Sequence, residues 1–429
     1  MRVERLSLEG DADGAAARVR ALAPAGESVR ATVEEVIERV AAEGDAAVLD
    51  LTRRLDTGGA TPWPLRVDAL ELREALDGTP APLREALELA AANVRAVALA
   101  GLDDDREVEL QAGQRIRLRE VPVRRAAIYV PGGRAPYPST VVMGAVTAQA
   151  AGVAEVVVCA PPGPDGQAQP AILAACALCG VDEVYRMGGA QAIAALALGT
   201  EGVRAVDVVA GPGNLYVQEA KRALCDRVGI DGFAGPSDLL VLLAGAAACS
   251  AAPVALDLLA QAEHGPGSVV VAVSPDARML DAVHAEIERA TPSPAGEPAP
   301  CVLATAASAG EALEFAEAFA PEHLQLVGAD AEALAPRVGA AGCVFVGLAA
   351  GTAFGDYVAG SNHVLPTGGS ARFASVLSPA HFRRRMTEVH LDARTAARLA
   401  PAGAAIARAE GFEAHARSME ARMGDNGEP

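Results

Sequence analysis

Lysine is almost absent from this sequence, since Lys221 is the only one among 429 residues. The 36 basic residues are outnumbered by 55 acidic residues, which gives a net charge of −19. A basic face of the kind that binds phosphate backbones is therefore not expected, and nucleic acid is excluded as a partner. No apolar run reaches the ~20 residues of a membrane-spanning helix, and the first residues lack the apolar core of a signal peptide. We therefore predict a cytoplasmic protein without a membrane partner.

Cysteines are few and show no sign of pairing. The seven cysteines are an odd number and do not form a disulfide framework. Cys176 and Cys179 have the spacing of half a zinc site, but they lie in an apolar helical stretch without a second pair, so buried structural thiols are the favoured alternative. No nucleophile-elbow pattern or activated cysteine is apparent from the sequence.

Apolar residues make up 51% of the chain and follow an α/β rhythm. Short β-branched runs alternate with alanine-rich helical segments, and the runs are nearly all apolar, as in parallel sheets that are covered on both faces. We predict an α/β fold with two Rossmann-like parallel-sheet modules, a helical N-terminal part and a small helical C-terminal extension. The predicted strands are 126–130, 155–159, 183–187, 206–209, 239–243, 269–273, 301–304 and 343–346.

The helical segments suggest how the chain is divided. Helices are predicted over 29–55, where Thr32 and Glu35 have the spacing of a capping box, and they continue over 66–100. Helix is again predicted after Pro379, as far as Arg422. The predicted parts are an N-terminal extension (1–24), a first α/β domain (25–124 with 238–378), a second α/β domain (125–237) and a C-terminal tail (379–429).

Three glycine turns follow predicted strands. Gly211-Pro212-Gly213-Asn214 precedes a predicted helix over 215–224, a place where backbone N–H groups can receive a phosphate. Taken alone, this motif also fits a simple strand-to-helix turn. Similar turns at 130–133 and 188–191 occupy equivalent places, and glycine turns at the carboxyl ends of parallel strands together favour a nucleotide or coenzyme crevice.

Histidine is absent before residue 264, and four of the seven histidines lie in polar clusters. Gln261 and His264 are three residues apart in a predicted helix, so both could reach one ion; a solvated helix surface is the alternative. Asp356, in a predicted loop, and His415 would complete two nitrogen and two oxygen ligands, a set that suits zinc.

Glu322 and His323 form a second candidate cluster. Pro321 ends a predicted helix immediately before them, and adjacent side chains diverge, so the two groups could serve different chemical steps. The alternative is a capped turn with an exposed histidine.

Seven ordered motifs closely resemble those of histidinol dehydrogenase. They occur in the order and spacing of that family, and the resemblance extends from the N-terminal helices to His415. The motifs are IYVPGG (128–133), MGGAQA (187–192), GPGN (211–214), AGPS (234–237), AQAEH (260–264), PEHL (321–324) and NHVLPTGG (362–369).

The resemblance implies a role for each matched residue. One zinc ion per subunit would be bound by Gln261, His264, Asp356 and His415. Contacts with substrate would come from these ligands and from Ser237, His323, His363 and Glu410, while Tyr129, Gln191 and Asn214 would contact NAD. The family is a homodimer in which the tail contributes to the partner's site, so Glu410 and His415 would act there.

The activity implied by the resemblance is the oxidation of L-histidinol to L-histidine through histidinaldehyde, with two NAD reduced. His323 would act as base toward the alcohol, and Glu322 would activate water. A dehydrogenase of another small alcohol, such as a sulfonated diol, a zinc-dependent hydrolase that uses Glu322 as base, and a non-catalytic paralogue are the alternatives. The residues Gly144, Thr147 and Gly265 differ from those usual in the family at these positions, which leaves the finer fit of the substrate open.

Overall fold

The structure is a computed structural model that describes residues 2–22, 28–60, 64–132, 135–233, 237–245, 250–265, 267–290 and 299–423. Gly133 of the first glycine turn and motif residues 234–236 lie outside these ranges. Within them, no helix is long and apolar enough to cross a membrane.

The described residues form alternating strands and helices. The strands are β1 (Val3–Ser7), β2 (Arg106–Glu109), β3 (Arg115–Pro122), β4 (Arg125–Tyr129), β5 (Glu155–Ala160), β6 (Glu183–Arg186), β7 (Val208–Ala210), β8 (Gly229–Ile230), β9 (Asp238–Leu243), β10 (Val269–Ser274), β11 (Cys301–Thr305), β12 (His323–Val327), β13 (Cys343–Val346) and β14 (Arg383–His390). The helices are α1 (Ala12–Arg20), α2 (Arg30–Glu43), α3 (Asp45–Leu55), α4 (Ala69–Asp77), α5 (Ala81–Ala100), α6 (Pro138–Ala150), α7 (Pro170–Leu178), α8 (Gly189–Leu198), α9 (Leu215–Ala223), α10 (Ala251–Ala262), α11 (Ala277–Ala290), α12 (Ala309–Phe319), α13 (Ala329–Glu332), α14 (Thr352–Tyr357), α15 (Ala393–Ala409) and α16 (Glu413–Glu420).

Two parallel sheets confirm the predicted α/β class. One has the order β1-β11-β10-β9-β12-β13, and the other has the order β6-β5-β4-β7-β8. The central strands β9, β10 and β12 are buried along their whole length, which explains the apolar runs 239–243 and 269–273. β12 differs because it carries the buried polar residues His323 and Gln325. In the second sheet the strand order reverses at β4, so β4 and β7 lie at the switch point where open α/β sheets bind ligands.

The N-terminal strand and helices are divided between the two sheets differently from the prediction. β1 pairs with β11 in parallel, so residues 3–7 belong to the six-stranded sheet. Helices α2 and α3 pack on α8, and α4 and α5 pack on α7 and α6. The N-terminal helices therefore cover the five-stranded sheet, whereas the sequence grouped them with 238–378.

The chain also divides into two compact units at other boundaries. The first unit contains residues 1–101 and 123–382, and the second contains 102–122 and 383–429. In the second unit, β14, β3 and β2 form an antiparallel sheet, and α15 packs on α16. The prediction of helix throughout 379–422 is thus wrong over β14, where charged residues alternate with Met386 and Val389 and pair with the distant β3.

The capping box was also assigned to the wrong helix. Thr32 lies inside α2, whose N-terminal cap is Val29 without a side-chain hydrogen bond. A capping box is instead present at α4, where Asp68 and Glu71 bond to each other's backbone N–H groups. Both segments carry the same spacing of residue types, so spacing alone did not identify the helix start.

Candidate active site

Glu322 and His323 lie where β12 begins, at the amino edge of the six-stranded sheet. His323 is in register with Leu239 of β9, which places the pair beside Ser237 and Asp238 at the start of β9. Glu322 Oε2 lies 3.7 Å from His323 Nδ1, so the two side chains do not diverge as expected for neighbours. They converge because both reach polar atoms of Asp238.

The Glu322 carboxylate is buried and held by two hydrogen bonds. Its Oε2 accepts from the Ser237 hydroxyl at 2.5 Å and from the Asp238 N–H at 3.1 Å. Burial, helped by the neighbouring Asp238 carboxylate, raises the pKa of Glu322 to about 7, although His323 and the two hydrogen bonds oppose this rise. A carboxyl group with this pKa can accept and release a proton near neutral pH.

His323 is also buried, with 3% of its surface exposed. The alternative of a capped turn with an exposed histidine is therefore wrong. Nδ1 lies 3.1 Å from the Asp238 carbonyl oxygen, to which it donates. Nε2 is buried without a hydrogen-bond partner among the described residues and lies 3.6 Å from Asp356 Oδ1. Burial alone would lower the pKa of His323, but Glu322 and Asp356 raise it to about 9.

Asp356 connects this pair with two further predicted histidines. It lies in the helix α14, not in the predicted loop. Burial favours a higher pKa for Asp356, but His323, His363 and His264 together lower it below its usual value. The Asp356 carbonyl oxygen is 3.0 Å from His363 Nδ1. Burial lowers the pKa of His363, which favours the neutral ring.

Gln261 and His264 reach the site from the end of α10. Gln261 is buried in the last helical turn, and its amide nitrogen donates to the Ser237 hydroxyl. His264 lies beyond the helix, in a turn where Gly265 has a φ of 103°, and its Nδ1 is 3.0 Å from the Gln261 carbonyl oxygen. The expectation that both side chains share one helix face is therefore wrong, because the helix ends at Ala262.

The predicted zinc ligands are only partly brought together within the first unit. Among the described residues, no group of three or more His, Cys, Asp or Glu side chains is placed to hold a metal ion. The predicted set includes an amide, Gln261, and the tail residue His415, so His264 and Asp356 are its only members of those types in the first unit. The nitrogen and oxygen donors of these residues fit zinc chemically.

Glu410 and His415 lie in the second unit. Glu410 is the C-cap residue of α15, and His415 is exposed on α16, with its ring 5.3 Å from that of Phe412. The proposed contribution of these two residues to a partner's site stays a prediction.

The three predicted NAD residues follow strands or open helices of the five-stranded sheet. Tyr129 ends β4, and its hydroxyl accepts from the Gly189 N–H at 3.1 Å. Gln191 is buried in α8 and donates to Asp56 at 3.3 Å. Asn214 caps α9, and its side-chain oxygen accepts two backbone N–H groups of the first turn at 3.1 Å. Those two N–H groups already donate hydrogen bonds to Asn214. A phosphate bound at this turn would therefore need other hydrogen-bond donors than the sequence suggested.

Sequence reasoning missed three polar residues of the part of the chain that forms the five-stranded sheet and its helices: Lys221, Asp231 and Asp56. Lys221 is buried, pairs with Asp231 and donates to the Gly211 carbonyl oxygen at 3.0 Å, while Asp231 Oδ2 accepts from the Gly211 N–H at 2.7 Å. Burial raises the pKa of Asp56 to about 6. The signal for Lys221 was its uniqueness in an arginine-rich chain; Asp56 and Asp231 carried none.

Helix α6 links the two edges through its polar side chains. Thr140 Oγ1 is 3.0 Å from His363 Nε2. Asn362 donates to the Met143 carbonyl oxygen at 3.0 Å and to Thr147 Oγ1 at 3.3 Å. Thr147 thus supports the loop before His363. Gly144 also differs from the residue usual in the family. It packs so closely against Ile128 that a Cβ at position 144 would lie 2.4 Å from Ile128 Cγ2.

Comparison with known proteins gives consistent matches over most of the chain. The family model "Histidinol dehydrogenase" matches residues 22–423. Histidinol dehydrogenase of Ruegeria pomeroyi is 44% identical over 405 residues, and that of Deinococcus radiodurans is 46% identical over 416 residues, each covering 92% of both chains. The crystal structure of histidinol dehydrogenase from Elizabethkingia anophelis superposes with a TM-score of 0.90 at 30% identity, covering 99% of this chain and 98% of that chain.

Proposed function

Since the chain belongs to the histidinol dehydrogenase family of oxidoreductases, we propose that it oxidises L-histidinol to L-histidine through L-histidinaldehyde in two hydride transfers to NAD, the last steps of histidine biosynthesis. The observation that carries this proposal is the buried Glu322–His323 pair, whose unpartnered His323 Nε2 is directed toward Asp356. The family match and the pair's position beside Ser237 support the same assignment.

The first oxidation requires a base at the substrate hydroxyl. When bound, zinc would hold the imidazole and amine of the substrate, and NAD would accept the hydride. His323 can receive the hydroxyl proton at Nε2 only from its neutral form, which becomes more populated as the pH rises toward its pKa of about 9. Nδ1 is held at the Asp238 carbonyl oxygen, which fixes the ring for this role. Asp356, 3.6 Å from Nε2, would stabilise the imidazolium that results.

The second oxidation requires water to add to the aldehyde. Glu322, with a pKa of about 7, is suited to take the proton of that water. A thiohemiacetal is the alternative route, and Cys343 is the cysteine in register with His323. Burial, together with the nearby Asp356, raises the pKa of the Cys343 thiol to about 11, which disfavours the thiolate that would be needed. The chemistry therefore favours hydration.

Zinc and dimerisation belong to the same proposal. We assign Gln261, His264 and Asp356 as ligands from one subunit and His415 of the partner subunit as the fourth. Ser237, His323, His363 and the partner subunit's Glu410 would contact the substrate. Tyr129, Gln191 and Asn214, at the edge of the five-stranded sheet, would contact NAD.

One assay tests the reaction directly. Purified protein with zinc, L-histidinol and excess NAD should form two NADH and one L-histidine per substrate consumed. NADH formation from a sulfonated diol with none from L-histidinol would assign another substrate. Turnover without NAD reduction would instead support a hydrolase.

A further inference from the structure

Arg20, the last residue of α1, contacts three residues next to the candidate active site. Its Nη1 forms an ion pair with Asp238. Its Nη2 donates to the carbonyl oxygens of Phe319 at 2.6 Å and Ala320 at 3.2 Å. The guanidinium also stacks on the Phe319 ring, 3.6 Å from its centre. One side chain therefore ties β9 to the end of α12.

The carbonyl groups that Arg20 binds belong to the turn that leads into Glu322. α12 ends at Phe319, and the last carbonyl groups of a helix have no partner inside it. Ala320 has a φ of 47°, in the left-handed region that non-glycine residues rarely adopt. A cation at a helix C-terminus stabilises such carbonyl groups. Arg20 therefore holds a strained turn two residues before Glu322.

Asp238 transmits the contact to both members of the catalytic pair. It is fully buried, and a buried carboxylate needs a counter-charge, which Arg20 supplies. Its Oδ1 accepts from the Glu322 N–H at 2.7 Å, and its own N–H donates to Glu322 Oε2 at 3.1 Å. Its carbonyl oxygen is 3.1 Å from His323 Nδ1.

We infer that Arg20 is a positioning residue that fixes Glu322 and His323 through Asp238 and the turn at Ala320. This inference rests on the proposed function, because it concerns the orientation of the proposed catalytic pair. Arg20 lies before the residues that the family model matches, 22–423, in a segment that the sequence indicated only as an extension. The N-terminal helix α1 thereby becomes part of the active-site support.

Arg20→Met tests the role because it removes the charge and keeps a long side chain. We expect kcat for L-histidinol to fall by about 30-fold, as for a displaced catalytic group, while KM for L-histidinol and NAD changes less than about threefold. Arg18→Met is the matched control on the same helix, since Arg18 forms an exposed ion pair with Asp11. Its kcat should equal that of the parent protein.

Two further variants keep the test decisive if Arg20→Met folds poorly. Arg20→Lys retains the positive charge beside Asp238 but lacks the guanidinium that binds Asp238 and both carbonyl groups at once. Its kcat should therefore lie between those of Arg20→Met and the parent protein. Asp238→Asn should lower kcat as well, and adding Arg20→Met to it should cost less than in the parent, because both changes break one network.

The outcomes separate the two proposals. A parent protein that forms no NADH from L-histidinol overturns the proposed function. An active parent with parent-like kcat in Arg20→Met, even at lower thermal stability, overturns only the positioning role. Fully additive effects of Arg20→Met and Asp238→Asn overturn the route through Asp238.

Discussion

Replacement of Glu322 by glutamine tests the roles proposed for the two buried groups, Glu322 and His323. Glutamine keeps the size and one carbonyl oxygen, so the Ser237 hydroxyl and the Asp238 N–H retain an acceptor, but it cannot take a proton from water. We expect oxidation of L-histidinaldehyde to slow by about 10²–10⁴-fold, the usual contribution of a general base, and alcohol oxidation to slow by less than about tenfold.

The pH dependence of the aldehyde step should change with this substitution. Because burial raises the pKa of Glu322 to about 7, the rate in the parent protein should rise through neutral pH as the carboxyl group loses its proton. The charged groups that face it are His323 and Asp238, and both remain in the variant. The rise should therefore be absent from Glu322→Gln, apart from effects of those two groups.

The same substitution should stabilise the fold above neutral pH. The pKa of Glu322 is about 7 in the folded protein, against an ordinary value of 4.5, so the folded state keeps a proton that the unfolded chain has lost. Stability from this group is present at low pH and is lost as the pH rises from about 4.5 to about 7. The loss above pH 7 is at most about 3 kcal/mol. Because His323 loses a carboxylate partner in Glu322→Gln, the observed gain should be smaller.

Each part of this prediction has its own measurement. NADH formation from L-histidinol and from L-histidinaldehyde separates the two oxidations, and urea unfolding at pH 5 and pH 8 measures the free energy of unfolding. Glu314→Gln, at an exposed glutamate of α12, is the control for loss of one negative charge. Equal slowing of both oxidations would contradict the water-activating role. If the variant is less stable than the parent protein at pH 8, the buried Glu322 carboxylate does not destabilise the fold as expected.

Three further substitutions test the other assignments. His415→Ala should lose zinc, as measured by metal analysis of the purified protein; full zinc content would refute the ligand assignment. Lys221→Met leaves Asp231 buried without its counter-charge, so the free energy of unfolding in urea should fall by about 3–5 kcal/mol, and an unchanged value would show that the pair contributes nothing. Tyr129→Phe leaves the Gly189 N–H without its acceptor, so KM for NAD should rise about threefold to tenfold with KM for L-histidinol unchanged; an unaltered KM for NAD would place the coenzyme elsewhere.

Most of the strands that the sequence predicted are buried, although β13 is only partly buried and the buried β12 was not predicted. Residues 343–346 match β13 as predicted, and 239–243 and 269–273 match β9 and β10 within one residue. β9 and β10 are visible in the sequence because both of their faces are covered, and the predicted runs within them are apolar. β1 and β14 were missed because both carry several charged residues, and their partners, β11 and β3, are more than 250 residues away in sequence.

The sequence proposes the residues of the candidate site but not the contacts between them. The motifs identified Glu322, His323 and Ser237 through the family resemblance, and the structure brings all three together. Arg20 and Asp238 are 218 residues apart and meet through tertiary packing alone. No local spacing records such a meeting, so neither residue could be assigned a role from sequence.

The proposed substrate site and the proposed coenzyme site lie at the edges of two different sheets, and hydride transfer requires them to come close together. The Glu322–His323 pair lies at the amino edge of one sheet, and Tyr129 lies at the carboxyl edge of the other. α6 follows β4 after the first glycine turn, and its Thr140 contacts His363, beside Asp356. A single helix thus connects the proposed coenzyme edge with the residues around the proposed substrate. Because hydride transfer requires the reacting atoms to approach within about 3.5 Å, the seating of α6 on Ile128 through Gly144 should set that approach. A larger residue at 144 would then affect catalysis without touching either ligand.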